Sequence, residues 1–155
     1  MNFKLQSAME YLMTYGWAIL IIAVVLAALD MLGVFNPSAF AKTFCVFESG
    51  ITCQSAILFT NGTADINIVQ NTNSPINITS INCNTNPTDY SNSITPNTIL
   101  AISDNYSFSI QCFSNSTKFS GPIGSIFDGY ITINYTDIES QFPHSNSAHV
   151  LLKIK

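Results

Sequence analysis

Between Glu10 and Asp30 the chain runs for 19 residues without a charge, and no other feature restricts its fold so strongly. As a helix that run would extend about 28 Å, close to the hydrocarbon thickness of a bilayer. Its centre, from Trp17 to Leu29, is apolar at every helical position and not along one stripe, so such a helix must be surrounded by lipid or by other helices. Tyr11, Tyr15 and Trp17 stand at one end where an interfacial aromatic belt would lie, and Lys4 marks that end as cytoplasmic. Gly33 and Asn36-Pro37 close the run, because glycine readily caps a helix and proline disfavours helical conformation in the residue before it. The rest of the chain is then expected outside the cell.

An ordinary secretory signal is the competing reading, with Lys4 as its charge and a cut near the small residues Ala27 and Ala28. Gln6-Ser7-Ala8-Met9-Glu10 argues against it by placing a carboxylate between the leader charge and the apolar run.

The stretch Lys4-Leu5-Gln6-Ser7-Ala8-Met9-Glu10-Tyr11-Leu12-Met13-Thr14-Tyr15-Gly16-Trp17-Ala18 resembles the start of archaeal type IV pilin-like proteins with class III signal peptides, the archaeal pilin and archaellin superfamily. The resemblance covers roughly residues 1 to 35. It implies that a prepilin peptidase cuts between Leu5 and Gln6, on the cytoplasmic side, and that the helix is retained. Leu5 stands where the family usually has a small residue, typically glycine. Glu10 matches the family's glutamate five residues into the mature chain. The resemblance further implies an extracellular archaeal filament that is a helical homopolymer, built through a membrane assembly platform and serving surface adhesion. Helices would form its core and β-domains its outer surface.

Glu10 also has a physical reading of its own. A carboxylate entering lipid or a helix bundle is costly unless it finds a partner. A new α-ammonium at Gln6, on the same or a neighbouring subunit, would supply one and set the axial register of stacked helices; if Gln6 cyclises, the partner must be a hydroxyl such as Ser7 or Thr14. A headgroup-level glutamate without a role is the plainer alternative. Close helix packing favours small residues, so Gly16, Ala18, Ala23, Ala27 and Ala28 are the candidate assembly contacts.

From Thr43 onward short runs rich in Ile, Val, Thr, Tyr and Phe recur between turn residues at intervals suited to a sandwich. Strands are expected near 43–48, 51–60, 64–69, 76–83, 98–103, 105–113, 129–136 and 148–155, with Asn61-Gly62 as the clearest hairpin turn. In Tyr130 to Thr136 the residues Ile131, Ile133 and Tyr135 alternate with Thr132, Asn134 and Thr136, as in a sheet with one buried face. Tyr106, Phe108, Ile110 and Cys112 repeat the pattern. The expected class is therefore α+β: a long N-terminal hydrophobic α-helix followed by an all-β, Ig-like sandwich. Residues 1–5 are read as leader, 6–36 as the transmembrane and filament-core helix, and 37–155 as the extracellular β-sandwich domain.

Five Asn-x-Ser/Thr acceptors, at Asn61, Asn77, Asn105, Asn115 and Asn134, suit N-linked glycans on an exported domain. Asn105 and Asn134 fall on the polar parity of their strands, and Asn61 and Asn115 fall in turns. The four cysteines, all beyond the apolar run, suit two disulfides, for which three connectivities exist. Cys45 and Cys53 flank Ser49-Gly50 symmetrically, which favours that pair and leaves Cys83 with Cys112. A zinc site is the weaker rival, since no close C-x-x-C pair occurs.

Arginine is absent and the net charge is -4, so no basic surface is available to neutralise phosphates, and nucleic acid is not an expected partner. His144, in an expected loop after Pro143, and His149 have no nearby cysteine, and no serine lies in a nucleophile motif. No enzymatic activity, metal or cofactor is expected. Three readings compete with a major pilin: an archaellin of a swimming filament, a minor pilin that primes or caps a filament, and a secreted or membrane-anchored β-sandwich binding domain that never polymerises.

Overall fold

The structure is a computed structural model that describes residues 3–35 and 42–155, apart from the side chains at positions 3–10, 12 and 14. Leu5, Gln6 and Glu10 therefore lie outside the residues whose side chains are described, and Asn36-Pro37 lies outside the described chain. Two compact units emerge, Met1–Phe40 and Ala41–Lys155.

The first unit is built on α1, Phe3–Met31. It ends on Gly33, whose φ of 70° lies in the left-handed region. That conformation lets Val34 N–H donate to the Leu29 carbonyl at 3.1 Å and Gly33 N–H to the Asp30 carbonyl at 2.9 Å. These two bonds satisfy carbonyls that the helix itself leaves open. The expected α+β class with a long hydrophobic N-terminal helix needs correction, however. Among the described residues no helix is long and apolar enough to cross a membrane. Asp30 places a charge in the last turn of α1 and closes the apolar run there. Strands make up most of the remaining structure.

The second unit contains ten strands in two sheets. They are β1 Phe44–Phe47, β2 Ile51–Leu58, β3 Thr63–Gln70, β4 Ile76–Asn84, β5 Thr98–Leu100, β6 Asn105–Gln111, β7 Phe113–Ser114, β8 Thr117–Lys118, β9 Ile126–Asp137 and β10 Pro143–Lys153. One sheet runs β1-β10-β9-β4-β7-β8 with β5 also on β4, and the other runs β2-β3-β6. The partition is thus seven and three, not the four and three of an Ig constant-type domain. Within the two sheets the strands pair antiparallel except for the single β4–β7 contact, and an isolated parallel bridge joins Leu58 to Ile154. The core lies between the sheets. Ile66, Ile68 and Ile110 from the smaller sheet face Ile78, Ile81, Ile131 and Ile133 from the larger, each 2% exposed or less. Burying such a side chain stabilises by about 1.5–3 kcal/mol, so this slab is what holds the sandwich together.

Two β-bulges keep that slab apolar. In β4 the inward residues switch from Ile76 and Ile78 to Ile81 and Cys83, a change of parity absorbed by the register shift between Ile78 and Ser80. In β2 a shift between Cys53 and Ser55 does the same, so that Ile51 and Leu58 are both buried. Without the extra residue each strand would turn half of its apolar side chains to solvent.

β10 begins at Pro143, five residues before the strand start expected at 148, and pairs with β9 without a break from Pro143↔Thr136 to Lys153↔Ile126. His144 is accordingly a strand residue and not a loop residue; its ring stacks on Tyr135, centroids 5.4 Å apart. Proline is tolerated there because it is the first residue of the strand.

The Asn61-Gly62 turn closes β2 onto β3, with Gly62 N–H donating to the Phe59 carbonyl at 2.9 Å. Gly62 has φ 79°, and a Cβ there would lie 1.7 Å from the Phe119 carbonyl oxygen. Its own carbonyl accepts from Cys112 N–H at 2.9 Å, so the backbone cannot retreat without breaking that bond. Gly62→Ala is expected to cost about 3 kcal/mol, from left-handed strain plus overpacking. Urea unfolding measures it, and a loss below about 1 kcal/mol would mean that the Phe119 segment yields freely.

Candidate functional site

Three features could carry function: the surface of α1, the glycan acceptors, and the disulfides that hold the sandwich. On α1, Trp17, Ile19, Leu20, Ile21, Ile22, Val24, Val25 and Leu26 are each between 50 and 71% exposed. Because these positions follow one another round the helix, the described side chains from Trp17 to Leu26 leave no polar face on which water is preferred. Gly16, Ala18, Ala23 and Ala27 are exposed too. Gly16, Ala23 and Ala27 are about two and three turns apart and so share one stripe, whereas Ala18 points to the opposite side. An ideal Cβ on Gly16 would meet nothing within 4 Å.

The five acceptors sit in unequal surroundings. Asn61 is exposed in the β2–β3 turn, where its Oδ1 accepts from Thr63 N–H at 3.0 Å. Asn105 is exposed at the start of β6. Asn115 is exposed in the two-residue turn between β7 and β8, where Asn115 and Ser116 both have positive φ, 48° and 64°, as a type I′ hairpin requires. Asn134 and Asn77 are half-buried instead. Asn134 Nδ2 donates to Ser80 Oγ at 2.9 Å on the neighbouring strand. Asn77 Oδ1 is shielded from solvent without a partner. Thr132, expected on the solvated face, is 1% exposed and shares a 2.9 Å hydrogen bond with Ser147 across the strands. The polar face of β9 is thus more enclosed than simple alternation implies.

Cys45 is bonded to Cys53 and Cys83 to Cys112. Both bridges join the larger sheet to β2 or to the end of β6, so each clamps one sheet to the other. No cysteine is free, which leaves no thiolates for the zinc alternative. Among the described residues no cluster of three or more His, Cys, Asp or Glu could hold a metal ion.

No protein-family model matches the chain, and no curated protein is significantly similar to it in sequence.

Three carboxylates that sequence reasoning passed over organise the surface. Asp89 accepts hydrogen bonds from Ser91 at 2.6 Å and from the buried Asn84 amide at 2.9 Å, which holds its carboxyl below the usual range and ties the 85–97 loop to β4. Asp128 meets His149 Nε2 at 2.7 Å, and that imidazole lies against both Phe44 and Tyr130, centroids 5.4 and 5.2 Å away. Strand register creates this group from residues far apart in sequence. Asp137 accepts from Ser140 N–H at 2.8 Å, from the Ser74 hydroxyl, and from Glu139 N–H at 2.9 Å. These donors pull its pKa from 3.8 down to about 2.

A carboxyl whose folded pKa is depressed stabilises the fold fully above its unfolded pKa and loses that contribution as pH falls through the folded value. The window here runs from about pH 4 down to about pH 2. Asp137→Asn is expected to lower stability at neutral pH and to flatten the decline across that window. Thermal unfolding midpoints at closely spaced pH values test this, and parallel curves for the two proteins would exclude the Asp137 contribution.

Proposed function

We propose that this chain is a structural subunit, a pilin, of an archaeal type IV pilus-like extracellular filament that serves surface adhesion. The observation that carries the reading is the exposed apolar surface of α1 on all its faces. Water cannot be the working environment of such a surface, because each buried apolar Å² stabilises by about 25 cal/mol and the helix leaves that gain unrealised. Other copies of the same helix, packed through the Gly16, Ala23 and Ala27 stripe, supply a cover of matching chemistry. The resemblance of residues 4–18 to class III leaders supports the same reading, with cleavage between Leu5 and Gln6 and Glu10 paired to the new N-terminus. The disulfide-clamped, Asn-, Ser- and Thr-rich sandwich then forms the outer surface and carries N-linked glycans. Prepilin peptidase and a membrane assembly platform are its partners during biogenesis.

Mass spectrometry of the N-terminal peptide from material sheared off the cell surface tests the proposal. A mature chain beginning at or near Gln6 is the expected result. A start after Ala27 or Ala28 would identify a secreted, non-polymerising domain and overturn it.

A further inference from the structure

The outer face of the three-stranded sheet holds a depression of about 380 Å³. Register sets Ser55, Asn67 and Ser107 abreast in one row across it, and Ile57, Asp65 and Ser109 in the next. Ser109 donates to Asp65 Oδ1 at 2.5 Å, leaving the second carboxylate oxygen without a protein donor among the described hydrogen bonds. Asn67 Oδ1 has no partner and is screened from solvent. An acceptor so placed costs about 1–3 kcal/mol until a donor reaches it, and the broad χ2 well of asparagine lets it turn toward one. Ile57, 36% exposed, adds an apolar patch at the β2 end of the second row. Hydroxyls, a carboxylate, an amide and one apolar side chain match a pyranose, which offers several O–H donors and an apolar C–H face.

One saccharide source is built into the same strand. Asn105 lies on β6 at the same side-chain parity as Ser107 and Ser109, is exposed, and stands about 6.8 Å from Ser107 along the strand. Ser107 is both the third residue of that acceptor sequence and part of the groove lining. We propose that this depression is a saccharide-binding groove whose occupant is the N-linked glycan carried by Asn105. The inference rests on the glycosylation part of the proposed function. So shallow a site would hold a free sugar weakly, but attachment at Asn105 presents the sugar at an effective concentration in the millimolar range, which is sufficient. The remaining Asp65 oxygen and Asn67 then receive sugar hydroxyls, and the glycan lies flat on the sheet.

The test uses the full chain expressed in an archaeal host that modifies Asn-x-Ser/Thr sequences. Glycopeptide masses give the occupancy of each acceptor, and brief periodate treatment of the native protein gives the oxidation rate of each glycan's vicinal diols. The Asn105 glycan is expected to react about tenfold more slowly than the Asn115 glycan, the protection that one or two net hydrogen bonds give. Denaturation should equalise the two rates. D65A/N67A, or Ser55→Tyr filling the groove if the double variant unfolds, should also abolish the difference. Equal native rates at an occupied Asn105 would overturn the groove while leaving glycosylation intact. An unmodified Asn105 beside modified acceptors would overturn it through the glycan itself. A free oligosaccharide retained by an Asn105→Gln chain through Asp65 would overturn the tethered source.

Discussion

Removing the Cys83–Cys112 bridge, as C83A/C112A, is expected to destabilise the sandwich by about 3.6 kcal/mol from chain entropy alone, and by more once its packing is counted. The bridge spans 29 residues of sequence, against 8 for Cys45–Cys53. On the same entropy relation the shorter loop is worth about 2.5 kcal/mol. The two bridges also differ in burial, since Cys83 and Cys112 are fully buried and Cys45 and Cys53 only partly so. Truncating two buried sulfurs leaves a cavity beside Ile81 and Ile131 that the rigid sheets cannot close. Position adds to this: the bridge fastens β4, at the middle of the larger sheet, to the end of β6, where Cys112 N–H also donates to Gly62. Denaturant unfolding of C83A/C112A and C45A/C53A should therefore rank the first as the more damaging. Equal losses would mean that the unfolded chain is compact enough to cancel the difference in loop length.

The sandwich was legible in the sequence wherever one strand face is buried and the other wet. Ile131 and Ile133 in β9, and Phe108 and Ile110 in β6, announce their strands by alternation, and both lie in the core. Alternation misleads where the chain adds a residue. Ile78 and Ile81 are out of phase, and only the bulge reconciles them. It also misleads where polar residues satisfy one another. Thr132 is buried because Ser147 stands opposite it, and Asn82 and Asn84 are buried because Asp89 folds back over them. The first half of β10, Pro143 to Ser147, has little strand propensity of its own. It is a strand because β9 offers a continuous template, which is a tertiary effect that no local window contains. The short Cys45–Cys53 pairing was readable from a turn between near neighbours. The helix misled for a different reason: an uncharged run shows that water is unsuitable but not that the helix spans a bilayer, and among the described residues no helix is long and apolar enough to cross one. The acceptor sequences show where a glycan is permitted chemically. They do not show that Asn77 and Asn134 lie half-buried between neighbouring strands.

Ala23→Asp is expected to abolish filaments while leaving the sandwich folded. Ala23 shares a stripe with Gly16 and Ala27, and its neighbours Ile22 and Val24 are 58 and 60% exposed, so the site awaits a cover. If other copies of α1 provide that cover, a carboxylate at position 23 enters an apolar bundle at each subunit interface, at a cost of about 2.5–3.5 kcal/mol on insertion scales. Since 1.4 kcal/mol is a factor of ten, each subunit addition weakens by about two orders of magnitude. Polymerisation repeats that deficit with each added subunit. Ala23→Ser keeps the small volume and can donate to a helix carbonyl, so it should assemble nearly as the parent does. Electron microscopy and sedimentation of sheared surface material distinguish these cases, with the disulfide-bonded sandwich assayed separately by its unfolding midpoint. Filaments of undiminished length from A23D would place Ala23 away from any helix contact and would count against a core built from α1.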